Sequence, residues 1–509
     1  MKYIFKKKQF DKFLGIFKGE DKKKILFLFY EISGKIKMPV KKSNKIMTDF
    51  AKAIFALYKR GKSVDEICHV FDKENLGNFY CEEVDRWFPL DNSAKIYPLS
   101  MDHQWMAMFR MSVYLKEDVV PEVLQIALLY TIKRFPYFAS TVKDGFFWHY
   151  LDGVQRRFPI NEENMRPCSS MKRYRSNQIP LRVIYYKNRI SVEYFHILTD
   201  GTGGLIFLKT LVAEYLRLLG AKIECSSDCF NVNDEPQESE WSNDFVKAEK
   251  VGKSVGFGQP TAKKIKGKLS RVKPDQVLHF EMDAKELVRH AKNRGATVTA
   301  LMLSYIAIAC KAAADEKSSG DVQMQVPVNM RKFYESNTLR NFSLFGTIKL
   351  KLDDITDVDR LVPLVTEQLF SCASKKNLNE IMLGTNSLVN GIKYIPLPIK
   401  SIVAKPIYHI LSDRTFTNTL SNVGVVSLPE GMKEYVEKMD FTLGTAMTNK
   451  ATMSMITCND VAVVSITKMT KDDTFENTLY NILESDGMKV LVKGSESYEN
   501  RNKLPHNKQ

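Results

Sequence analysis

The sequence predicts an α+β protein built in two halves behind a helical N-terminal extension, and three observations predict it. The chain has 509 residues, and at about 150 residues per domain that length holds two to four domains with sizeable cores. Segments of period two mix with segments of helical period, without the strict alternation of a parallel sheet. A polar, aperiodic stretch over 221–274 separates two such mixtures. The expected organisation is an extension over 1–86, a first lobe over 87–220, a crossover linker over 221–274, a second lobe over 275–495 and a polar tail over 496–509. A hydrophobic fraction of 44% with 26% charged residues excludes wholesale disorder and low-complexity character.

The extension reads as helical. Phe10, Phe13 and Phe17 recur at helical spacing, Lys22–Lys24 precede the apolar run 25–30, and a further helix spans 47–59. Gly61 ends it, and Ser63 with Glu66 forms a capping box for the next. This helix–glycine–helix has the outline of a DNA-binding helix-turn-helix, but its second helix opens with Asp65 and Glu66 where phosphate contacts need cations. No nucleic-acid partner is expected. Strands follow over 106–115, 181–194 (a hairpin) and around a turn at Asp144-Gly145, with helices over 120–134 and 205–219. Past the linker come a strand over 276–282, helices over 284–293 and, capped by Thr297, to 314, strands over 322–328 and 342–352, helices within 358–390, a strand over 415–428 and a hairpin over 451–467.

Net charge is +16, and the first fifty residues hold fourteen lysines against five acids, so +9 of it is local to the N-terminus. Two roles fit this stretch: an interfacial helix making peripheral contact with an anionic membrane through residues 1–50, or a helical cap whose aromatic stripe packs on the body while the lysines face water. No uninterrupted apolar run approaches the ~18 residues of a membrane span. A secretory signal lacks its apolar core and cleavage site, and eight scattered cysteines make no disulfide framework. A cytoplasmic protein is the expectation, with peripheral attachment to the membrane as the alternative.

The segment that carries chemistry is His196-Ile197-Leu198-Thr199-Asp200-Gly201, an HxxxDG pattern. Chance produces it in about one in fifty sequences of this composition. Here it follows a strand (RISVEYF) and precedes an apolar helix, so the histidine sits at a rigid strand end beside an open turn. Cys225 and Cys229 have no second pair or nearby histidine, so no metal site is expected. His103, His149, His279, His290 and His409 lie in no pattern, and the methionines at 101, 106, 108, 111, 447, 453 and 455 read as apolar lining.

With this motif, Val326-Pro327-Val328-Asn329-Met330-Arg331 and Leu420-Ser421-Asn422-Val423-Gly424 follow in order. Together they resemble the coenzyme-A-dependent acyltransferase superfamily, with its chloramphenicol-acetyltransferase-like fold, over roughly 87–495; WFPLDNSAKIYPL is most similar to the start of bacterial alcohol-acetyltransferase-like members. The resemblance implies two α/β sandwich lobes with an active-site tunnel between them, and an acyl group passing from acyl-CoA, a co-substrate rather than a bound cofactor, to a small-molecule alcohol or amine. It implies His196 as the general base. Asp200 would be held by Arg331 rather than act as a relay, with Arg134 the next candidate, and Gly201 would permit the tight turn after it. Ser421, or Asn422 beside it, would be the oxyanion donor. Condensation domains of the superfamily carry a second histidine where this chain has Phe195, which favours a stand-alone transferase. The alternative is a condensation-domain-like protein that binds an acyl-carrier or partner protein without standard transfer. The DFGWG motif of plant members is reduced to Asp440-Phe441-Thr442-Leu443-Gly444, which weakens coenzyme A relative to a thioester donor in general.

Overall fold

The computed structural model describes residues 7–81, 86–100, 106–171, 179–250, 260–400, 402, 414–445, 449–495 and 497–498. His103, His409, Met101, Met447 and nearly all of the expected tail lie outside the described residues. Four helices open the chain: α1 (Lys7–Leu14), α2 (Gly19–Lys35), α3 (Val40–Lys59) and α4 (Val64–Val70). The predicted capping box is present, with Ser63 Oγ accepting from the Glu66 amide and Glu66 accepting from the Ser63 amide.

These helices are no separate appendage, which corrects the division at residue 86. Phe17, Ile25, Phe29, Phe50 and Leu57 belong to the same continuous core as the first lobe. Phe50 on α3, fully buried, packs its ring 5.7 Å from Phe71 and 6.3 Å from Tyr130 of the lobe, and Arg157 grips Asp49 through two hydrogen bonds of 2.5 and 2.9 Å. The aromatic stripe faces inward: Phe13 lies 5.5 Å from both Phe17 and Phe29, and the Phe17 ring lies tilted 4.9 Å from Tyr58. The Phe10–Phe13–Phe17 stripe of α1 therefore packs on the body, as the helical-cap reading expects, while α2 keeps Phe27 and Tyr30 exposed.

The first lobe has a small sheet of β1 (Trp87–Pro89), β3 (Ser140–Asp144) and β4 (His149–Gly153), and a larger one. The larger comprises β2 (Met108–Leu115), β5 (Ile160–Glu162), β6 (Leu181–Tyr186) and β7 (Arg189–Phe195), covered on its apolar face by α6 (Pro121–Arg134) and α7 (Gly201–Leu218), with a short helix α5 at Tyr97–Ser100. The second lobe is a seven-stranded sheet in the order β10-β9-β11-β13-β14-β8-β15. Its strands are β8 (Gln276–Asp283), β9 (Val322–Asn329), β10 (Ser343–Leu350), β11 (Asn418–Val425), β13 (Ala451–Cys458), β14 (Val461–Lys468) and β15 (Leu491–Gly494). Its helices are α8 (Ala284–Asn293), α9 (Val298–Ala312), α10 (Val358–Cys372), α11 (Lys375–Gly391) and α12 (Thr474–Ser485). Among the described residues no single helix is long and apolar enough to cross a membrane.

One strand breaks the expected two-way division. Strand β12 (Val436–Leu443), from the second half of the sequence, pairs antiparallel with β2 and forms the edge of the first lobe's sheet, order β12-β2-β7-β6-β5. The residues over 275–495 therefore do not make a self-contained lobe. Thr442 and Asp440 stand opposite Arg110 and Ser112, on the sheet face that carries a buried set of charges. Arg110 gives two hydrogen bonds to Glu193, at 2.9 and 2.7 Å, and a third to Glu163. Arg182 closes on Glu193 at 2.5 Å, Arg189 pairs with Glu163, and Tyr114 donates to Asp440 at 2.7 Å. Three guanidiniums face three carboxylates, so charges that would be unfavourable singly are balanced.

Phe50→Ala should destabilise the whole first lobe, not only the helical extension, by about 3–5 kcal/mol. A single cooperative denaturant transition with a lowered midpoint is the expected result; a separate early transition of the helices alone would refute the shared core.

Candidate active site

His196 follows directly on β7, whose alternation buries Val192 and Tyr194 against α7. Its amide donates to the Ala107 carbonyl at 2.8 Å, which pins the strand end. The ring stacks on Tyr97 at 4.8 Å and meets the Phe109 edge at 5.2 Å. His196 keeps some solvent exposure while Phe195, Ile197 and Leu198 are buried, so the imidazole is held and reachable.

Asn341 orients it. Asn341 Nδ2 donates to the His196 carbonyl at 2.9 Å and to Asp91 at 3.2 Å, which leaves its Oδ1 facing His196 Nδ1 at 2.7 Å. An amide oxygen can only accept, so Nδ1 carries the proton and Nε2 presents its lone pair. Nε2 has no hydrogen-bond partner among the described residues. Burial holds the imidazole below the ordinary histidine range, against the opposing pull of Asn341 and Asp200, so it is neutral at neutral pH. Sequence reasoning missed Asn341 because it lies 145 residues away with no motif around it.

Asp200 faces away from the imidazole. Oδ1 caps α7 by accepting from the amides of Thr202 and Gly203 at 3.1 and 3.2 Å. Oδ2 accepts from Arg331 Nη1 and the Phe342 amide, both at 2.8 Å. Both oxygens are committed and the side chain is buried. Arg331 spends its other nitrogens on the carbonyls of Thr338 and Arg340, while Arg134 is bound to Glu240 at 2.6 and 2.7 Å. The expected linker is packed over 240–242: Glu240 and Ser242 main-chain oxygens hold Leu339 N and Thr338 Oγ1 at 2.7 and 2.8 Å.

The glycines differ from expectation. Gly201 is the first residue of α7, without the left-handed backbone a tight turn would require; a Cβ there would press on Val423 at 3.3 Å. The position with no room is Gly203, where a Cβ would collide with the Leu339 carbonyl and Thr199 Oγ1. The helix thus begins at Gly201, four residues before the predicted start.

Ser421 and Asn422 part company on β11. Leu420 is buried in the second lobe's core beneath α9, and Asn422, two residues on, donates to Thr299 at 3.0 Å. Ser421 and Val423 occupy the other face, where Val423 approaches Gly201. The Ser421 hydroxyl is partly exposed and has no hydrogen-bond partner among the described residues. Of the remaining histidines, His149 faces Asp144 at 3.3 Å, His279 meets Ser465 at 2.9 Å and His290 faces Asp486 at 3.4 Å. Cys225 is exposed and Cys229 buried.

No protein-family model and no curated protein matches the sequence. Solved structures do. The chain matches Fusarium sporotrichioides TRI101, in complex with coenzyme A and T-2, at 12% identity and a TM-score of 0.54, over 80% of this chain and 99% of that one. It matches polyketide synthase associated protein 5 from Mycobacterium tuberculosis at 12% identity and 0.52, over 80% and 98%. A third match is TRI3 trichothecene 15-O-acetyltransferase from Fusarium sporotrichioides, at 12% and 0.51, over 78% and 94%. The chain has the chloramphenicol-acetyltransferase-like fold. Coverage of nearly the whole of each matched chain, against four fifths of this one, locates the additional residues outside the common fold.

Asp200→Ala and Arg331→Ala should each cost about 3–5 kcal/mol, by stranding the buried partner, and the double variant should lose much less than the sum. Gly203→Ala should lower the melting temperature more than Gly201→Ala, because backbone must move at 203 and only a methyl at 201. Additive losses, or a milder change at 203, would contradict the geometry.

Proposed function

We propose that the protein is an acyltransferase that moves an acyl group from a thioester, acyl-CoA, to the hydroxyl or amine of a small acceptor. The observation that carries this reading is the imidazole of His196, held neutral with Nδ1–H fixed by Asn341 and Nε2 without a partner among the described residues, within this fold. TRI101 is matched as a coenzyme A complex and TRI3 is named an O-acetyltransferase, which favours coenzyme A and an oxygen acceptor.

In the proposed reaction Nε2 takes the acceptor's proton as its oxygen or nitrogen attacks the thioester carbonyl. Negative charge collects on the former carbonyl oxygen, and Ser421 or Asn422 would be its donor; Ser421 is favoured because its hydroxyl has no hydrogen-bond partner among the described residues, whereas one Asn422 N–H is engaged by Thr299. Collapse expels the thiolate, which recovers the proton from the imidazolium, so the enzyme returns unchanged. Asp200 works by structure: with Arg331 and Phe342 N it fixes the loop that aims Asn341.

The test is thiol release from acetyl-CoA and longer acyl-CoA donors across alcohol and amine panels. His196→Ala should lose about 10²–10⁴ in rate with an unchanged melting temperature, and wild-type turnover by the folded variant would overturn the assignment. The pH dependence has a definite sign. The imidazole must be neutral, and its pKa lies below the usual ~6.5, so kcat/KM should be flat across neutral pH and fall only below that value. Asn341→Ala removes the acceptor that supports Nδ1–H, so the acid limb should move to lower pH and kcat/KM should fall as the tautomer is released; an unmoved limb with wild-type turnover would remove Asn341 from this role.

A further inference from the structure

The stretch WFPLDNSAKIYPL folds as β1, a capped turn and the start of α5, and one of its residues reaches the candidate base by two routes. Asp91 is fully buried. Its Oδ1 accepts from the Ala94 amide at 2.7 Å and its carbonyl from the Lys95 amide at 3.1 Å, so it caps the turn that delivers Tyr97 onto the His196 ring, 4.8 Å away and stacked. Its Oδ2 accepts from Asn341 Nδ2 at 3.2 Å. A buried carboxylate needs a balancing charge, and the Arg340 guanidinium, adjacent in the chain to Asn341 and itself fully buried, favours the ionised form. Arg340 Nε and Nη2 have no hydrogen-bond partner among the described residues.

Two acceptors thus face the Asn341 amide nitrogen, the Asp91 carboxylate and the His196 carbonyl. Neither can donate, so both hold Nδ2 toward themselves and Oδ1 toward His196 Nδ1. The carbonyl is main chain and independent of sequence; the carboxylate is the part that a side chain supplies. An amide at position 91 would act in the opposite sense. Its oxygen would stay on the Ala94 amide, the shorter of the two bonds, and its NH2 would meet the NH2 of Asn341. Turning the Asn341 amide over relieves that conflict, but it aims an N–H at His196 Nδ1. The imidazole proton then moves to Nε2, and the lone pair that receives the acceptor's proton is lost.

We propose that Asp91 is a positioning residue for acyl transfer: through Asn341 it sets which nitrogen of His196 is free, and through the turn over 91–95 it sets the ring plane against Tyr97. Its part in the reaction rests on the acyl-transfer reading; the tautomer it sets does not.

The experiment is a nitrogen NMR spectrum of the full chain carrying isotope-labelled histidine, the His196 signals being those lost in His196→Gln. Wild type should show His196 with Nδ1 protonated and Nε2 bare. Asp91→Asn, nearly unchanged in shape, should move His196 toward the Nε2–H tautomer. Asp91→Ser still offers Ala94 an acceptor and sets no donor against Asn341, so it should keep the wild-type tautomer. A residue that served packing alone would give the reverse order of damage, because asparagine fills the site and serine leaves a void. In thiol release from acetyl-CoA, Asp91→Asn should lose about 10²–10⁴ in kcat with little change in KM, and Asp91→Ser should lose less. If Asp91→Asn does not fold, Asp91→Asn/Asn341→Ala, which removes the opposed donors, should fold. A wild type protonated on Nε2, an unmoved tautomer in folded Asp91→Asn, a greater loss in Asp91→Ser, or failure of both the single and the double variant to fold would overturn the proposal. The spectrum judges the positioning and thiol release judges the reaction, so the two readings fail separately.

Discussion

The Asp200 carboxylate is the constraint on which the site depends. Its four hydrogen bonds, from Thr202 N, Gly203 N, Arg331 and Phe342 N, tie the start of α7 in the first lobe to the segment 331–342 that leads into β10 of the second. Buried hydrogen bonds to an ionised acceptor are among the stronger ones a protein makes. The segment they hold is crowded with function: Leu339 accepts from Thr199, Arg340 reaches Pro89 at the first lobe's edge at 2.5 Å, and Asn341 grips His196. Holding one carboxylate thus sets the alignment of two lobes and the aim of one imidazole.

Division of labour between charge and chemistry follows. Asp200 uses every acceptor site on structure, and the polar partner of the histidine is neutral. A carboxylate in Asn341's place would stabilise the imidazolium more strongly; the amide fixes the tautomer with an upward pull on the pKa that burial outweighs. A base that remains neutral over a wide range results. Elsewhere the chain does bury charge, as in the Arg110–Glu193–Arg182 and Arg189–Glu163 pairs, but there every cation has a carboxylate and none is asked to move a proton.

The lobes are also interlocked by the chain itself. Strand β12 leaves the second lobe to complete the first lobe's sheet, then returns as β13, where Ser454 Oγ donates to the Phe441 carbonyl. The N-terminal helices merge their core with the first lobe through Phe50, Phe71 and Tyr130. Both features make the candidate site part of one cooperative body.

The sequence by itself determined the α+β class, most of the strands and helices, and the position of His196 at a strand end. These are local properties: period-two and helical patterning, caps such as Ser63 and Thr297, and the turn at Asn459-Asp460, which adopts positive φ of 47° and 63°. It also singled out Arg331 and Asp200, through a resemblance across two short motifs. What only the tertiary structure decided depends on contacts distant in sequence. Asn341 met His196 across 145 residues, Ser421 and Asn422 were separated by which sheet face each occupies, and the need for glycine moved from 201 to 203 because a remote carbonyl passes there. Strand β12, buried along most of its length, carries no polar alternation to reveal it, and no local pattern says which lobe a strand joins. The inward turn of Phe10, Phe13 and Phe17, and the outward exposure of Phe146 and Tyr394, were likewise settled by packing: an apolar side chain encodes only that it leaves water where a partner surface exists.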